Sequence, residues 1–274
     1  MPLKPMIAAT LLGLSAHTAT AEDTVKLFTL DCGTIEMFDI SSFSSEGHFA
    51  DQSATLSVPC YLIRHPKGDL LWDTGHNQSI ADLPEGLKAS WGISTTNIKL
   101  TDQLTALGMT PADIDYLSLS HWHPDHSGNA GLFASATWVV HTAEREFMFS
   151  DAMKDARSDY AALENAKTIQ FTESYDLFSD GSVVIVPTPG HTAGHTVLQL
   201  TLANAGTLLF SGDLYTHAEA RKVGAVPVFN VDKEETIRSM ALFEKLVKQH
   251  KARVVVEHEK THFDALPKFP SFLD

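Results

Sequence analysis

The sequence predicts an α/β protein made of two similar halves that share one core. Two observations carry this. Short apolar runs recur between residues 24 and 256, punctuated by Gly, Pro, Asn and Asp, which is the pattern of buried strands closed by turns. Their order is β-rich, then α/β, then β-rich, then α/β, with no linker or low-complexity break between the halves. A third observation concerns the ends of those runs. Four of them stop at histidine or carboxylate residues, as expected where strand ends build a rigid site.

The elements follow in order. Residues 24–32 and 35–39 read as two strands with Gly33 at the turn. Residues 57–64 and 69–73 read as a hairpin, because His65-Pro66-Lys67-Gly68 puts Pro and Gly where a turn wants them. Asp73, at the end of that hairpin, fits an ordinary turn role and equally a supporting role beside a metal ligand. Residues 77–94 contain Pro84, Gly86, Trp91 and Gly92 and read as an irregular excursion, a frequent form of binding loop. A helix is expected over 97–107, with Leu100, Leu104 and Leu107 on one face and Gly108 ending it. Strands follow at 113–119 and 136–141.

Residues 142–165 read as helical. Their Phe147, Met148 and Phe149 are assigned to the core, with an apolar substrate pocket as the alternative. A strand at 183–186 and a hairpin-like pair at 196–202 and 207–211 come next. Ile237, Met240, Leu242, Phe243, Leu246 and Val247 recur at helical spacing and predict an amphipathic helix over 233–249. Residues 253–256 make a last buried strand, and the proline-rich tail 267–274 is expected to pack irregularly.

The first 21 residues do not belong to this core. Lys4 precedes the apolar run 6–16, and Ala19-Thr20-Ala21 precedes Glu22, which together read as a cleaved secretory signal. Residues 22–274 then form one domain, periplasmic or secreted and free of the membrane after cleavage. The run is too short for a permanent span. A net charge of -14 argues against nucleic acid as a partner. The two cysteines, Cys32 and Cys60, could pair in an exported protein, but both lie in apolar strand-like contexts and buried free thiols are the preferred reading.

The chemistry is concentrated in Ser120-His121-Trp122-His123-Pro124-Asp125-His126. Four side chains that bind metals occur within six residues, too many for ordinary core packing. His121 and His123 are two apart and can point the same way at a strand end, while Asp125 and His126 lie beyond a proline in a turning loop. One loop can therefore serve two neighbouring positions. Gly190-His191, Gly212-Asp213 and His258 end three later strands in the same manner. His121, His123 and His191 are assigned to one ion, and Asp125, His126 and His258 to a second. Asp213 is assigned to bridge them, because two ions roughly 3.5–4 Å apart can share one carboxylate. His195 is read as bland beside His191, whose Gly-His turn throws it out at the strand end.

Taken together, the 120–126 stretch, Pro189-Gly190-His191, Gly212-Asp213 and His258 resemble the metallo-β-lactamase-fold hydrolase superfamily. The resemblance implies a four-layer αβ/βα sandwich with a dinuclear site at one edge of its two sheets. Within that superfamily, residues 58–68, 211–215, 226–232 and 266–274 are similar to N-acyl homoserine lactonases. That likeness implies two divalent ions, zinc by default with iron, manganese or cobalt fitting the same donors, and a metal-activated hydroxide that opens an acyl lactone. Asp125 would hand a proton to the leaving alkoxide, and Tyr215 would donate to the substrate. Organophosphate or other ester hydrolysis on the same fold is the alternative. Two departures stand out. Lactonases commonly carry a Tyr three residues after the bridging Asp, whereas Tyr215 comes two after Asp213, and Glu259 follows His258 where Asp is usual. Glu259 is expected to orient that ligand.

Overall fold

The computed structural model describes residues 24–274, so the segment 1–21, expected to be a secretory signal, lies outside the described residues. Nine of the described strands build the first sheet, and eight of them lie along one path: β1 (Lys26–Met37), β2 (Ala54–His65), β3 (Gly68–Trp72), β4 (Leu87–Lys88), β5 (Gly92–Thr95), β6 (Tyr116–Ser118), β7 (Thr137–His141) and β8 (Thr168–Phe171). Their order is β4-β5-β1-β2-β3-β6-β7-β8. The second sheet runs β13-β12-β11-β10-β9, formed by β9 (Tyr175–Asp176), β10 (Val183–Pro187), β11 (Thr196–Leu202), β12 (Gly206–Phe210) and β13 (Arg253–Val255). A short β14 (Phe272–Leu273) returns to pair with β1, so the tail joins the first sheet instead of packing irregularly. The helices are α1 (Leu100–Ala106), α2 (Pro124–Ser127), α3 (Thr142–Met148), α4 (Ala218–Val223), α5 (Lys233–His250) and α6 (Lys260–Asp264). None of the described helices is long and apolar enough to cross a membrane.

Period two makes the layers. Along β2, Tyr61 and Ile63 face the second sheet, where they meet Ile185, Leu198, Leu208 and Phe210. Cys60 and Leu62 face the other way, onto Leu100 and Leu104 of α1 and Phe133. In the second sheet Val197 and Leu209 face outward onto Met240 and Phe243 of α5. Helix, sheet, sheet and helix thus stack as four layers, because each sheet buries both faces.

Several sequence expectations change here. The two strands expected at 24–32 and 35–39 are one strand, whose pairing with β2 shifts register between Asp31 and Thr34 and so absorbs Gly33 without a turn. The helix expected over 142–165 stops at Met148 and gives way to short 3₁₀ turns, Asp151–Met153 and Ala161–Asn165. Met148 is fully buried in the core, as preferred from sequence. Cys32 and Cys60 are bonded, not free. Both sit on paired strands, where the partner of Cys60 is Leu30 and the two cysteine Cα atoms are 5.8 Å apart, within disulfide reach. Sequence could not supply that pairing, since it depends on β1 lying beside β2.

Candidate metal centre

The ligand loop starts where β6 stops. Ser120 N–H donates to Asp73 Oδ1 at 2.6 Å, which ties the loop to the end of β3. Pro124 opens α2, with Asp125 in its first turn and His126 one residue later. His191 leaves the end of β10 through Gly190, whose φ is +131°. A Cβ at Gly190 would meet Thr236 N at 2.3 Å, so only glycine lets this turn lie against α5. Asp213 follows β12, and His258 follows β13.

These residues converge in two groups. In the first, His121 Nε2 lies 2.8 Å from His123 Nδ1, and His191 Nε2 lies 3.2 Å and 3.1 Å from those two atoms. In the second, His126 Nε2 and His258 Nε2 are 3.3 Å apart, with Asp125 Oδ2 3.5 Å from His258. Asp213 stands between them. Its Oδ2 faces His191 at 3.4 Å and His121 at 3.7 Å, while its Oδ1 faces His258 at 2.9 Å and His126 at 3.3 Å.

The outer ring nitrogens reveal what the inner ones offer. His126 Nδ1 meets Asp73 Oδ2 at 3.0 Å, and His258 Nδ1 meets the Ser57 carbonyl at 2.8 Å. Both partners only accept, so both Nδ1 atoms carry the proton. His191 Nδ1 likewise donates to Asn230 Oδ1 at 2.9 Å. In their neutral forms these rings turn Nε2 lone pairs inward onto one another, an arrangement that a cation relieves. Donors around one zinc at 2.0–2.1 Å would lie about 3.3 Å apart, close to the spacing seen here. The residues fit a pair of divalent ions.

Electrostatics agree. Burial and the neighbouring His191 push His123 down to about 4, and burial pushes His121 and His191 down as well, so these rings stay neutral and ready to ligate. His126 and His258 behave differently. Burial opposes their charge, yet Asp213 and Asp125 outweigh it, and His258 rises to about 9. The carboxylates draw positive charge into this second group, which is what a divalent ion supplies. Burial would raise Asp213, but His258, His126 and His121 hold its carboxyl well below the usual range.

Other assignments sort themselves by contact. Asp73 holds Ser120 and His126, so of its two sequence readings the supporting one is realised. His195 is spent: its Nδ1 meets the Thr188 carbonyl at 3.1 Å and its Nε2 accepts the Asp213 N–H at 3.0 Å. Tyr215 is a correction. It packs with Phe243 of α5 and its hydroxyl donates to Glu244 Oε1 at 3.2 Å, away from the cluster. Thr216, three residues after Asp213, lines the cavity instead. Glu259 is a second correction, because it caps α6 and accepts from Ala218 N–H, while the Ser57 carbonyl orients His258. Sequence reasoning missed Asn230 and Ser57, whose contacts come from residues distant in the chain.

A cavity of 570 Å³ opens over His123, Asp125, Asp213 and His258. Its walls are largely apolar: Ile35, Met37, Phe43, Leu56, Trp91 and Phe229 among others. Ile80, Leu87 and Trp91 come from the excursion 77–94, as expected of a binding loop. From 142–165 only Asp159 reaches it.

Comparisons with known proteins follow the same line. A family model described as Metallo-beta-lactamase superfamily matches residues 54–260. The chain is 29% identical to the N-acyl homoserine lactonase AttM of Rhizobium radiobacter over 261 residues, 90% of this chain and 98% of that one. It is 26% identical to the N-acyl homoserine lactonase AiiA of Bacillus thuringiensis subsp. kurstaki, covering 90% of this chain and 98% of the relative. Its fold is similar to that of an N-acyl homoserine lactone hydrolase solved with N-hexanoyl-L-homoserine at its catalytic metal centre. There the TM-score is 0.77 and the identity 24%, over 90% of this chain and 98% of the other. It is also similar to AidC, a dizinc quorum-quenching lactonase, with a TM-score of 0.64, 19% identity, and 90% and 89% of the chains covered.

Proposed function

The chain belongs to the metallo-beta-lactamase superfamily, and from that membership we propose that it opens the lactone ring of N-acyl homoserine lactones at a centre of two divalent ions. The observation that carries the reading is Asp213, one carboxylate whose two oxygens face two separate histidine groups. Near full-length similarity to AttM and AiiA supports the substrate class. His121, His123 and His191 would hold one ion, and Asp125, His126 and His258 the other, with Asp213 shared.

Bound there, two divalent ions, by default zinc, supply an activated water at neutral pH and polarise an ester carbonyl. The chain's own residues do the rest. Asp213 and the six other ligands fix the separation and orientation of the two positions. Asp125 faces the cavity and lies 3.5 Å from His258, so its carboxylate can take the proton given up by the water that adds to the carbonyl and pass it to the leaving alkoxide of the opened ring. The apolar walls of Met37, Phe43, Leu56, Trp91 and Phe229 take the acyl tail and exclude water from it. Export is part of the same reading, and the Cys32–Cys60 disulfide suits an oxidising compartment.

A pH-stat assay tests the reaction. Proton release is expected with N-acyl homoserine lactones and not with a cephalosporin or a phosphotriester. Release with the phosphotriester alone would replace this reading with the organophosphate one.

A further inference from the structure

We propose that Glu144 is a positioning residue whose buried carboxylate clamps the loop of His121 and His123 to the turn of His191 and so sets the first ligand group. The proposal rests on the metal-centre reading above. Glu144 belongs to the first turn of α3, an element that contributes no ligand, and is 1% exposed. Its Oε1 accepts the Trp122 N–H at 2.9 Å, between His121 and His123. Its Oε2 accepts the Thr192 hydroxyl at 2.8 Å and the Gly194 N–H at 2.8 Å, just after His191. One carboxylate thus satisfies three donors from two ligand segments far apart in sequence.

A second feature points the same way. A Cβ at Gly194 would meet Glu144 N at 2.4 Å and Glu144 Cβ at 2.7 Å, so the His191 turn is pressed directly onto α3. Burying a carboxylate without a cation beside it is costly. Burial alone drives the Glu144 carboxyl up to about 7 against the pull of its three donors, and no lysine or arginine contributes. Neutral packing would hold two loops together at less cost. What the carboxylate adds is geometry, since all three donors must aim at one planar group, and the first ligand group inherits that aim.

The test compares wild type with Glu144→Gln and Gly194→Ala, each stripped of metal and titrated with Co(II) while the visible spectrum is recorded. Glutamine keeps the shape but turns one acceptor into a donor, so it cannot serve both segments. The alanine leaves Glu144 intact and pushes the turn away from it. Both variants are expected to bind the first or second Co(II) about 10–100-fold more weakly, with an altered spectrum and a lower kcat at nearly unchanged KM. Both are also expected to melt lower in the metal-stripped state, one from an unpaired buried donor and one from the clash, so affinity and spectrum are read on the folded fraction. Wild-type affinity and spectrum in Glu144→Gln would overturn the proposal. So would variants whose melting temperature falls while the folded fraction binds Co(II) as wild type does, since that is the mark of a purely structural residue. A wild-type protein that binds no Co(II) would instead remove the metal-centre reading on which the proposal stands.

Discussion

Tyr215 and Thr216 are neighbours in sequence that face different parts of the molecule. Thr216 lines the cavity, while Tyr215 is 2% exposed against α5 and bonded to Glu244, itself paired to Arg221 at 2.8 Å. Tyr215→Phe is therefore expected to leave kcat and KM within about twofold of wild type and to cost about 1 kcal/mol of stability, the usual worth of one hydrogen bond. A large loss of kcat would restore the tyrosine to the chemistry. At the residue scale the sequence singled out the histidines and aspartates that the fold brings together, because such residues at strand ends have few other uses. Their partners were less legible: the Ser57 carbonyl is 201 positions from His258 and carries no side-chain signal. Elsewhere, Asp180 accepts from the Ser182 hydroxyl at 2.6 Å and from Lys67 at 3.0 Å, and these hold its carboxyl well below 3.8. A depressed folded value adds stability above pH 3.8, lost as the pH falls through that lowered value. The group is largely open to solvent, so Asp180→Asn should cost about 0.5–1 kcal/mol at pH 7. Urea midpoints of the two proteins should converge as the solution is acidified well below pH 4.

At the scale of elements, the hairpin of β2 and β3 and the helix α5 were plain in the sequence. Pro and Gly mark the one, and apolar residues at helical spacing mark the other. The segment after Met148 was not, because its acidic and basic residues suit a helix face locally while Met153, Tyr160 and Leu163 are buried along a path of short turns. Tertiary burial overrides local propensity there. Strand pairing was equally invisible, and with it the disulfide. Cys32 and Cys60 are 28 residues apart, and removing the cross-link by a Cys32→Ala, Cys60→Ala pair should cost roughly 2–4 kcal/mol in urea unfolding. Thiol titration of the native wild type should find no free thiol until the protein is denatured and reduced. Two free thiols in the purified native protein would contradict the pairing.

At the scale of the whole molecule, four layers bring four strand ends to one place. β6, β10, β12 and β13 come from both sheets, and each hands over its ligand just beyond its last hydrogen-bonded residue. The recurrence of short apolar runs made buried strands legible, and the two-half order of elements anticipated the stacking. The cavity above the cluster was less legible, because its walls combine β1, β2, the 77–94 excursion and Phe229, which only the folded chain assembles. Asp213 is where the two halves of the site meet, so it carries the account. The most direct measurement is the divalent metal content of purified wild type and Asp213→Asn, read beside lactone hydrolysis. Wild type should hold two ions per chain. Asp213→Asn should lose at least one, with kcat/KM reduced by more than about 100-fold, beyond what a supporting residue costs. An Asp213→Asn protein that keeps both ions and full turnover would contradict the account.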